Sequence, residues 1–148
     1  MNILFVCTGS TCRSPMAQAV LRHKAKNHNN LKLRIKSAGL SVIYGSTVAH
    51  NTRQVLAENQ IKLRYVPTQI SRSIIDWADL ILTMTKDQAE AIISATGKNN
   101  VFSFGDYVGM GDVVDPFNRG IDAYRYTFNQ LCDYSDKLIE KLNYIKGS

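Results

Sequence analysis

Cysteine and proline are scarce in this sequence, and long hydrophobic runs are missing. Three cysteines in 148 residues cannot form the dense disulfide framework of a small secreted protein, so we expect a reducing compartment. No stretch approaches the length of a transmembrane helix, and the chain begins with an apolar strand instead of a signal peptide. These absences predict a cytoplasmic protein that does not contact membranes, with one domain over residues 1–148.

Potential metal ligands and acidic residues are also few. His23, His28 and His50 have no Cys, Asp or Glu partner at metal-ligand spacing, so we predict no metal and no other cofactor. The chain has 12 acidic residues against 18 Lys and Arg, a net charge of +6. The basic residues are scattered without interleaved aromatic residues, so nucleic-acid binding is not predicted. A basic surface favours acidic or phosphorylated partners instead.

Strand-like and helix-like patterns alternate along the chain. Apolar patterns typical of strands occur at residues 3–6, 31–36, 80–84 and 101–104. Helical patterns occur at residues 15–28, 48–59 and 85–95, in a short segment capped by Ser71, and from Ile121 onwards. This alternation predicts a single-domain α/β fold, a three-layer sandwich in which helices cover both faces of a four-stranded parallel sheet.

A short loop between the first strand and the first helix carries the main candidate site. Cys7 stands at the carboxyl end of the strand, and five small or hydroxyl residues separate it from Arg13. Ser14 suits the N-cap of the helix, and Pro15 suits its first position. Gly9 lets such a loop turn its N–H groups inward, which forms an anion-binding nest beside the helix N-terminus.

This nest predicts a phosphate site with a nucleophile at its floor. The planar guanidinium of Arg13 can bind two phosphate oxygens. The same positive charge and N–H groups favour the thiolate of Cys7, so we expect a lowered pKa and a nucleophile that faces the phosphorus atom. The alternative is a buried core cysteine with a surface arginine. The predicted phosphate-binding residues are Thr8, Gly9, Ser10, Thr11, Cys12, Arg13 and Ser14.

The second part of the site is predicted in a long glycine-rich loop over residues 105–120. There Asp115 precedes Pro116, and a carboxyl group on such a loop can protonate a leaving group and later activate water. Phe117 would form a wall of the same cleft. The alternatives are an Asp-Pro turn and a core phenylalanine, and Asp112 is expected to be solvated.

These motifs resemble those of the low-molecular-weight protein tyrosine phosphatases over nearly the whole chain. The resemblance rests on residues 7–15, on Ser37-Ala38-Gly39 and on Asp115-Pro116-Phe117, and it is strongest to the bacterial protein arginine phosphatase branch. It implies the sheet order 2-1-3-4 and a protein phosphatase that forms a cysteinyl-phosphate intermediate. The implied partners are phosphorylated proteins or peptides and phosphate-like anions, and the implied catalytic residues are Cys7, Arg13 and Asp115.

Thr11 and Phe117 are the predicted substrate-binding residues. Tyrosine-specific relatives usually carry a bulky aliphatic residue in place of Thr11 and a tyrosine in place of Phe117. The Thr11 hydroxyl can accept hydrogen bonds from a guanidinium, so phosphoarginine is the predicted substrate and phosphotyrosine the alternative. Arsenate reduction needs two more cysteines in related proteins, and it is not expected because residues 60–100 contain none.

Two positions depart from the family pattern. Ser10 replaces an asparagine, and Tyr65 replaces a histidine that bonds to this asparagine in the family. The same asparagine bonds to serines that match Ser14 and Ser37. A rebuilt network is therefore expected, and a weakly active relative that binds phosphoproteins is a further alternative. The resemblance also implies that Ser14 donates a hydrogen bond to the Cys7 thiolate.

The two remaining cysteines have different predicted roles. Cys12 shares the loop with Cys7, so oxidation could join them in a disulfide. The alternative for Cys12 is a small loop residue without a redox role. Cys132 lies beside an apolar position of the last helix and is predicted to belong to the core.

Overall fold

Strands and helices alternate in the computed structural model, which describes residues 1–147. The strands are β1 (Asn2–Cys7), β2 (Arg34–Gly39), β3 (Leu80–Thr83) and β4 (Val101–Ser103). The helices are α1 (Arg13–Ala25), α2 (His50–Glu58), α3 (Arg72–Trp77), α4 (Lys86–Thr96), α5 (Phe104–Val108) and α6 (Ile121–Gly147). Neighbouring strands are parallel in the order β2-β1-β3-β4. The predicted α/β sandwich and its sheet order are confirmed.

The central strand β1 is apolar on both faces because helices cover both sides of the sheet. Ile3 and Phe5 belong to a core shared with α1 and α6, whereas Leu4 and Val6 belong to a second core under α3 and α4. All four side chains are fully buried, and each such burial stabilises the fold by about 1.5–3 kcal/mol. Burial on both faces explains why the first strand reads as one continuous apolar run.

Strand β2 begins later than its alternating pattern predicts, so the predicted bounds 31–36 are wrong. Leu31 and Leu33 do pack against the core, but they do so from the segment before the strand. The apolar alternation therefore extends beyond the strand itself. The shift pairs Gly39 with Cys7 and brings the end of β2 beside the candidate site.

Helix α1 begins at Arg13, before the predicted start. Cys12 is its N-cap and makes no side-chain capping bond, so Ser14 and Pro15 lie inside the first turn. The predicted N-cap role of Ser14 is wrong, because its hydroxyl faces the sulfur atom of Cys7 instead. The helix also ends earlier than predicted, at Ala25.

The sequence predicts a cap at Ser71, a capping box of Thr85 and Gln88, and a helix stop at Gly97, and all three are confirmed. The Ser71 side chain caps α3 by accepting the N–H of Ile74. Thr85 and Gln88 form both bonds of a capping box at the start of α4. Gly97 ends α4 in a left-handed conformation with φ of 68°, which glycine adopts without steric cost.

The segment after β4 differs from the prediction. Helix α5 occupies part of residues 105–120, which the glycine-rich pattern predicts as one loop, and Ser103 caps it by accepting the N–H of Asp106. Along α6, apolar residues at four-three spacing predict an inward face made of Tyr124, Phe128, Leu131, Leu138, Leu142 and Ile145. The first five are buried, but Ile145 is 51% exposed, so its predicted inward position is wrong. Within residues 1–147, no helix is long and apolar enough to span a bilayer.

Candidate active site

The loop between β1 and α1 curls around the sulfur atom of Cys7. The Ser10 N–H donates to Sγ across 3.2 Å, and the Ser14 hydroxyl oxygen lies 3.1 Å from Sγ. Ser10 reaches this position with a left-handed backbone, φ 58°, which residues other than glycine rarely adopt. The loop thus places the sulfur atom within reach of a main-chain donor and a hydroxyl group.

The surroundings of Cys7 act on its pKa in opposite directions. Burial raises the pKa of the thiol and is the largest effect. Hydrogen bonds from Ser14, the charge of Arg13 and the N–H of Ser10 lower the pKa by smaller amounts. The balance is a raised pKa, so the lowered pKa expected from the sequence is wrong. That expectation included the donors of the loop but not the removal of the sulfur atom from water, which depends on the fold.

Arg13 lies almost buried at the mouth of the loop, with 7% exposure, so it is not a surface charge. Its Nη1 donates to the Val113 carbonyl across 3.3 Å, and its Nη2 lies 3.5 Å from Oδ2 of Asp115. The Val113 N–H in turn donates to the carbonyl of Met84, the residue after β3, across 2.9 Å. These contacts tie the phosphate loop to the loop that carries the candidate acid.

Asp115 lies on a loop that α6 anchors. Thr127 donates its hydroxyl to the Val114 carbonyl across 3.0 Å, and Gln130 Oε1 accepts the Val114 N–H across 2.9 Å. The Asp115 carboxylate accepts the N–H of Phe117 across 3.0 Å, and its side chain is 53% exposed. A fixed backbone with an exposed carboxylate is an arrangement suited to proton transfer with an incoming substrate.

The neighbouring acid, Asp112, has a different partner. It is exposed, as predicted, but its Oδ1 accepts the N–H of Lys86, the first residue of α4, across 3.1 Å. A carboxylate at this position also interacts favourably with the helix dipole. Asp112 therefore stabilises the start of α4 and is absent from the lining of the cleft above Cys7.

A cleft of about 460 Å³ opens above the loop. Thr11 and Phe117 both line it, and Phe117 is 59% exposed, so the core alternative for this phenylalanine is wrong. A further wall of the cleft comes from the segment after β2 and contains Ser41, Ile43, Ser46, Thr47 and Ala49. Sequence patterns do not identify these residues as part of the site. The predicted topology does indicate this segment, because the loops after neighbouring parallel strands emerge at the same edge of the sheet.

Neighbouring elements hold the phosphate loop in place. Gln88 Nε2 donates to the Thr8 hydroxyl across 3.1 Å, while its Oε1 completes the capping box of α4. The Thr11 carbonyl accepts the N–H of Ala49 across 3.0 Å. A Cβ atom at Gly39 would lie 2.7 Å from the Thr8 carbonyl oxygen, so only glycine permits this close approach. The sequence indicates Gln88 only as a helix cap, and its contact with the loop is visible only in three dimensions.

A hydrogen-bond network joins Ser10 to Tyr65, the two positions that depart from the family pattern. The Ser10 hydroxyl contacts the hydroxyl of Ser14 at 3.3 Å and also the hydroxyl of Tyr65. Tyr65 donates to the Ser37 carbonyl across 3.1 Å and accepts the N–H of Thr68 across 3.2 Å. The expected rebuilt network is present, and it connects the phosphate loop to β2.

The remaining cysteines are free, like Cys7. Cys12 is buried, and its Sγ lies 3.4 Å from the hydroxyl of Tyr124 and 3.6 Å from that of Thr11. Burial, with the nearby Cys12 thiol, raises the pKa of Tyr124. Cys132 packs against the core from a half-buried position. No group of three His, Cys, Asp or Glu side chains among residues 1–147 could hold a metal ion.

Comparison with known proteins agrees with this geometry. Residues 2–146 match the family model for low molecular weight phosphotyrosine protein phosphatase. A protein-arginine-phosphatase of Bacillus subtilis is 35% identical over 146 residues, which cover 96% of this chain and 97% of that protein. The low molecular weight protein-tyrosine-phosphatase PtpB of Staphylococcus haemolyticus is 39% identical over 140 residues, which cover 93% and 97%.

A solved structure extends the similarity to the whole fold. A form of the arginine phosphatase YwlE, a mutant with a phosphorylated active-site serine, superposes with a TM-score of 0.91 at 34% identity. The superposition covers 97% of this chain and 96% of that one. The chain therefore belongs to the low molecular weight phosphotyrosine protein phosphatase family and is a cysteine-dependent protein phosphatase.

Proposed function

We propose that this phosphatase removes phosphate from arginine residues of proteins through a phosphocysteine formed on Cys7. The observation that carries the proposal is a single cleft lined by the Cys7 thiol, the Arg13 guanidinium and the Asp115 carboxylate. Similarity to the Bacillus subtilis protein-arginine-phosphatase supports the substrate, and the YwlE mutant with a phosphorylated active-site serine supports a covalent intermediate. The proposed partners are phosphorylated cytoplasmic proteins.

In the first half-reaction, the Cys7 thiolate attacks phosphorus and the P–N bond to the substrate guanidine breaks. The electron pair of that bond returns to nitrogen, which takes a proton from the carboxyl group of Asp115. Arg13 and the N–H groups of the loop stabilise the charge on the equatorial oxygens. The products are an unmodified arginine residue in the substrate protein and a phosphorylated Cys7.

In the second half-reaction, a water molecule attacks the phosphorus atom of the intermediate. Asp115, now ionised, accepts a proton from this water, the S–P bond breaks, and inorganic phosphate leaves. The electron pair of the S–P bond returns to the sulfur atom of Cys7. The Ser14 hydroxyl, 3.1 Å from Sγ, donates to the departing thiolate and so opposes the burial that raises its pKa.

The preference for phosphoarginine rests on residues at the rim of the cleft. The Thr11 hydroxyl can accept a hydrogen bond from the substrate guanidinium. As the P–N bond breaks and Asp115 gives up its proton, the resulting carboxylate faces the positive charge of the leaving guanidinium. The exposed ring of Phe117 can stack on the guanidinium plane. Phosphotyrosine is the second candidate, because PtpB of Staphylococcus haemolyticus is 39% identical and an aromatic wall also suits a phenyl ring.

Two peptides of one sequence, one with phosphoarginine and one with phosphotyrosine, test the substrate in parallel kcat/KM measurements. We expect wild type to prefer phosphoarginine. Thr11→Ile should move the ratio towards phosphotyrosine by about 10–100-fold, since a small change in a pocket alters binding by about 1–3 kcal/mol. If wild type prefers phosphotyrosine and Thr11→Ile leaves the ratio unchanged, the protein is a tyrosine phosphatase.

Substitution of the nucleophile tests the phosphocysteine mechanism in the same assay. Cys7→Ser should abolish turnover of both peptides while tungstate, a phosphate analogue, still binds, because the loop and Arg13 are retained. Full turnover by Cys7→Ser would exclude the phosphocysteine, whichever substrate is preferred.

A further inference from the structure

We propose that Tyr65 is a positioning residue that sets the reactivity of Cys7 through a chain of hydroxyl groups. The chain runs from the sulfur atom of Cys7 through Ser14 and Ser10 to Tyr65, and it ends at the main chain of β2. This role rests on the proposed function of Cys7 as the nucleophile. Tyr65 itself is absent from the lining of the cleft, so it acts on the sulfur atom only through the two serines.

The contacts along the chain are continuous. Ser14 Oγ lies 3.1 Å from the sulfur atom of Cys7 and 3.3 Å from Ser10 Oγ. Ser10 Oγ is hydrogen-bonded to the Tyr65 hydroxyl, which lies 3.1 Å from the Ser37 carbonyl oxygen. Cys7 and the three serines are each at most 3% exposed, whereas Tyr65 is half-buried. Bulk water therefore cannot replace a missing partner of Cys7, Ser14 or Ser10.

The direction of the hydrogen bonds follows from the number of protons. With a neutral thiol, Cys7 donates to Ser14, Ser14 to Ser10, Ser10 to Tyr65, and Tyr65 to the Ser37 carbonyl. Each hydroxyl group has one proton, so none of them can rotate alone without depriving a neighbouring group of its hydrogen bond. When Cys7 loses its proton, the sulfur atom can only accept, and all three hydroxyl groups must reverse.

In the reversed chain, Tyr65 donates to Ser10, Ser10 to Ser14, and Ser14 to the thiolate, while the Ser37 carbonyl loses Tyr65 as a donor. The Thr68 N–H, 3.2 Å from the Tyr65 oxygen, donates to it in both directions, so this oxygen keeps a donor when its own proton turns away from β2. Hydrogen bonds to an ionised acceptor are about twice as strong as neutral ones, and bonds in a chain strengthen one another. The chain therefore stabilises the thiolate more than the thiol.

Tyr65→Phe removes the last donor of the chain and keeps the ring. We expect the midpoint of the pH dependence of Cys7 alkylation by iodoacetamide to rise by about 0.5–1 pH unit, because the thiolate loses one bond of a cooperative chain. Mass spectrometry of the tryptic fragment 1–13 separates alkylation at Cys7 from alkylation at Cys12. An unchanged midpoint overturns the proposal.

Tyr134→Phe is the matched control. Like the Tyr65 hydroxyl, the Tyr134 hydroxyl donates to a main-chain carbonyl, that of Gly111 at 2.7 Å, and accepts a hydrogen bond, here from Gln130 Nε2 at 3.1 Å. Within the described residues, no hydrogen bond joins Tyr134 to the hydroxyl chain of Cys7. Both variants should lower the Tm, and only Tyr65→Phe should move the alkylation midpoint. An equal shift in Tyr134→Phe would mean that general loosening of the fold is the cause.

A double mutant tests whether Tyr65 acts through Ser10. Ser10→Gly deletes the hydroxyl and still tolerates the left-handed backbone at this position, so it should raise the midpoint by itself. Adding Tyr65→Phe should then produce no further rise in the midpoint. Additive shifts would show that Tyr65 does not act through Ser10 and would overturn the proposal. Alkylation needs no substrate, so a negative result here leaves the phosphatase mechanism intact, and an active Cys7→Ser enzyme would reject the mechanism instead.

Discussion

Cys7 and Asp115 differ sharply in their exposure to water, and the difference suits their proposed roles. The thiol is 3% exposed, which protects a covalent intermediate from stray nucleophiles, whereas the carboxylate side chain is 53% exposed. An exposed carboxyl group can exchange its proton with solvent before each catalytic cycle begins. Arg13 lies between them, and its guanidinium can contact both the acid and a phosphate oxygen.

Asp115→Asn keeps the size of the side chain but cannot supply a proton. We expect kcat for a phosphoarginine peptide to fall by about 10²–10⁴-fold, which is the usual contribution of a general acid. The loss should be much smaller for p-nitrophenyl phosphate, whose leaving group needs no proton. Asp112→Asn is the matched control and should keep wild-type kcat, since Asp112 contacts α4 and not the cleft. Equal losses on the two substrates would contradict the role of Asp115 as the acid.

The start of α4 serves the helix and the active site together. Gln88 accepts the main-chain N–H groups of Met84 and Thr85, each across 3.0 Å, and donates to Thr8 in the phosphate loop. Its side chain is 7% exposed, so these groups have no ready substitute in water. The helix cap is therefore part of the support of the phosphate loop.

Gln88→Ala should lower the free energy of unfolding by about 0.5–2 kcal/mol, the usual cost of a lost cap, and it should also raise KM because Thr8 loses its partner. Thr8→Val separates the two effects, since it removes the bond between Gln88 and the loop and leaves the cap of α4 intact. We expect Thr8→Val to raise KM with little change in the urea midpoint. A Gln88→Ala protein as stable as wild type would show that the cap contributes nothing.

At the scale of the whole molecule, thiol and phenol groups with a raised pKa predict a loss of stability at alkaline pH. Burial raises the pKa of four groups, namely Cys7, Cys132, Tyr124 and Tyr134. Above the ordinary thiol pKa of about 8.5, the unfolded chain releases protons that the folded state still holds. Each group then contributes stability that is present below its unfolded pKa and is lost as the pH rises towards its folded pKa.

Urea unfolding between about pH 7 and pH 10 measures this loss. Each such group should remove up to about 1.4 kcal/mol per pH unit once the pH exceeds its unfolded pKa. Cys7→Ala should flatten the curve near the ordinary thiol pKa, because it removes one of the buried thiols. A stability profile that is flat in wild type, or equally steep in Cys7→Ala, would contradict the raised pKa of Cys7.

Local patterns in the sequence predict the parts of this molecule that local chemistry determines. The strand before Cys7, the loop to Arg13 and the capping box at Thr85 each depend on residues close in the chain, and they are found in the structure. The register of β2 and the raised pKa of Cys7 depend instead on contacts between distant segments. Helix α5 differs again: Gly105 and Gly109 are typical of a loop, whereas the Ser103 cap and the burial of Phe104 in the core stabilise a short helix.

The 3.5 Å contact between Arg13 and Asp115 has a practical consequence for anyone who measures this enzyme. An oxyanion that enters the loop competes with the carboxylate for the same N–H groups, so every anion in solution is a rival ligand of both groups. Sulfate or phosphate in a buffer would displace the acid from its partner and occupy the place of the substrate at once. The choice of buffer salt is therefore a kinetic variable of this enzyme, and rates compared across buffers report the anion as well as the protein.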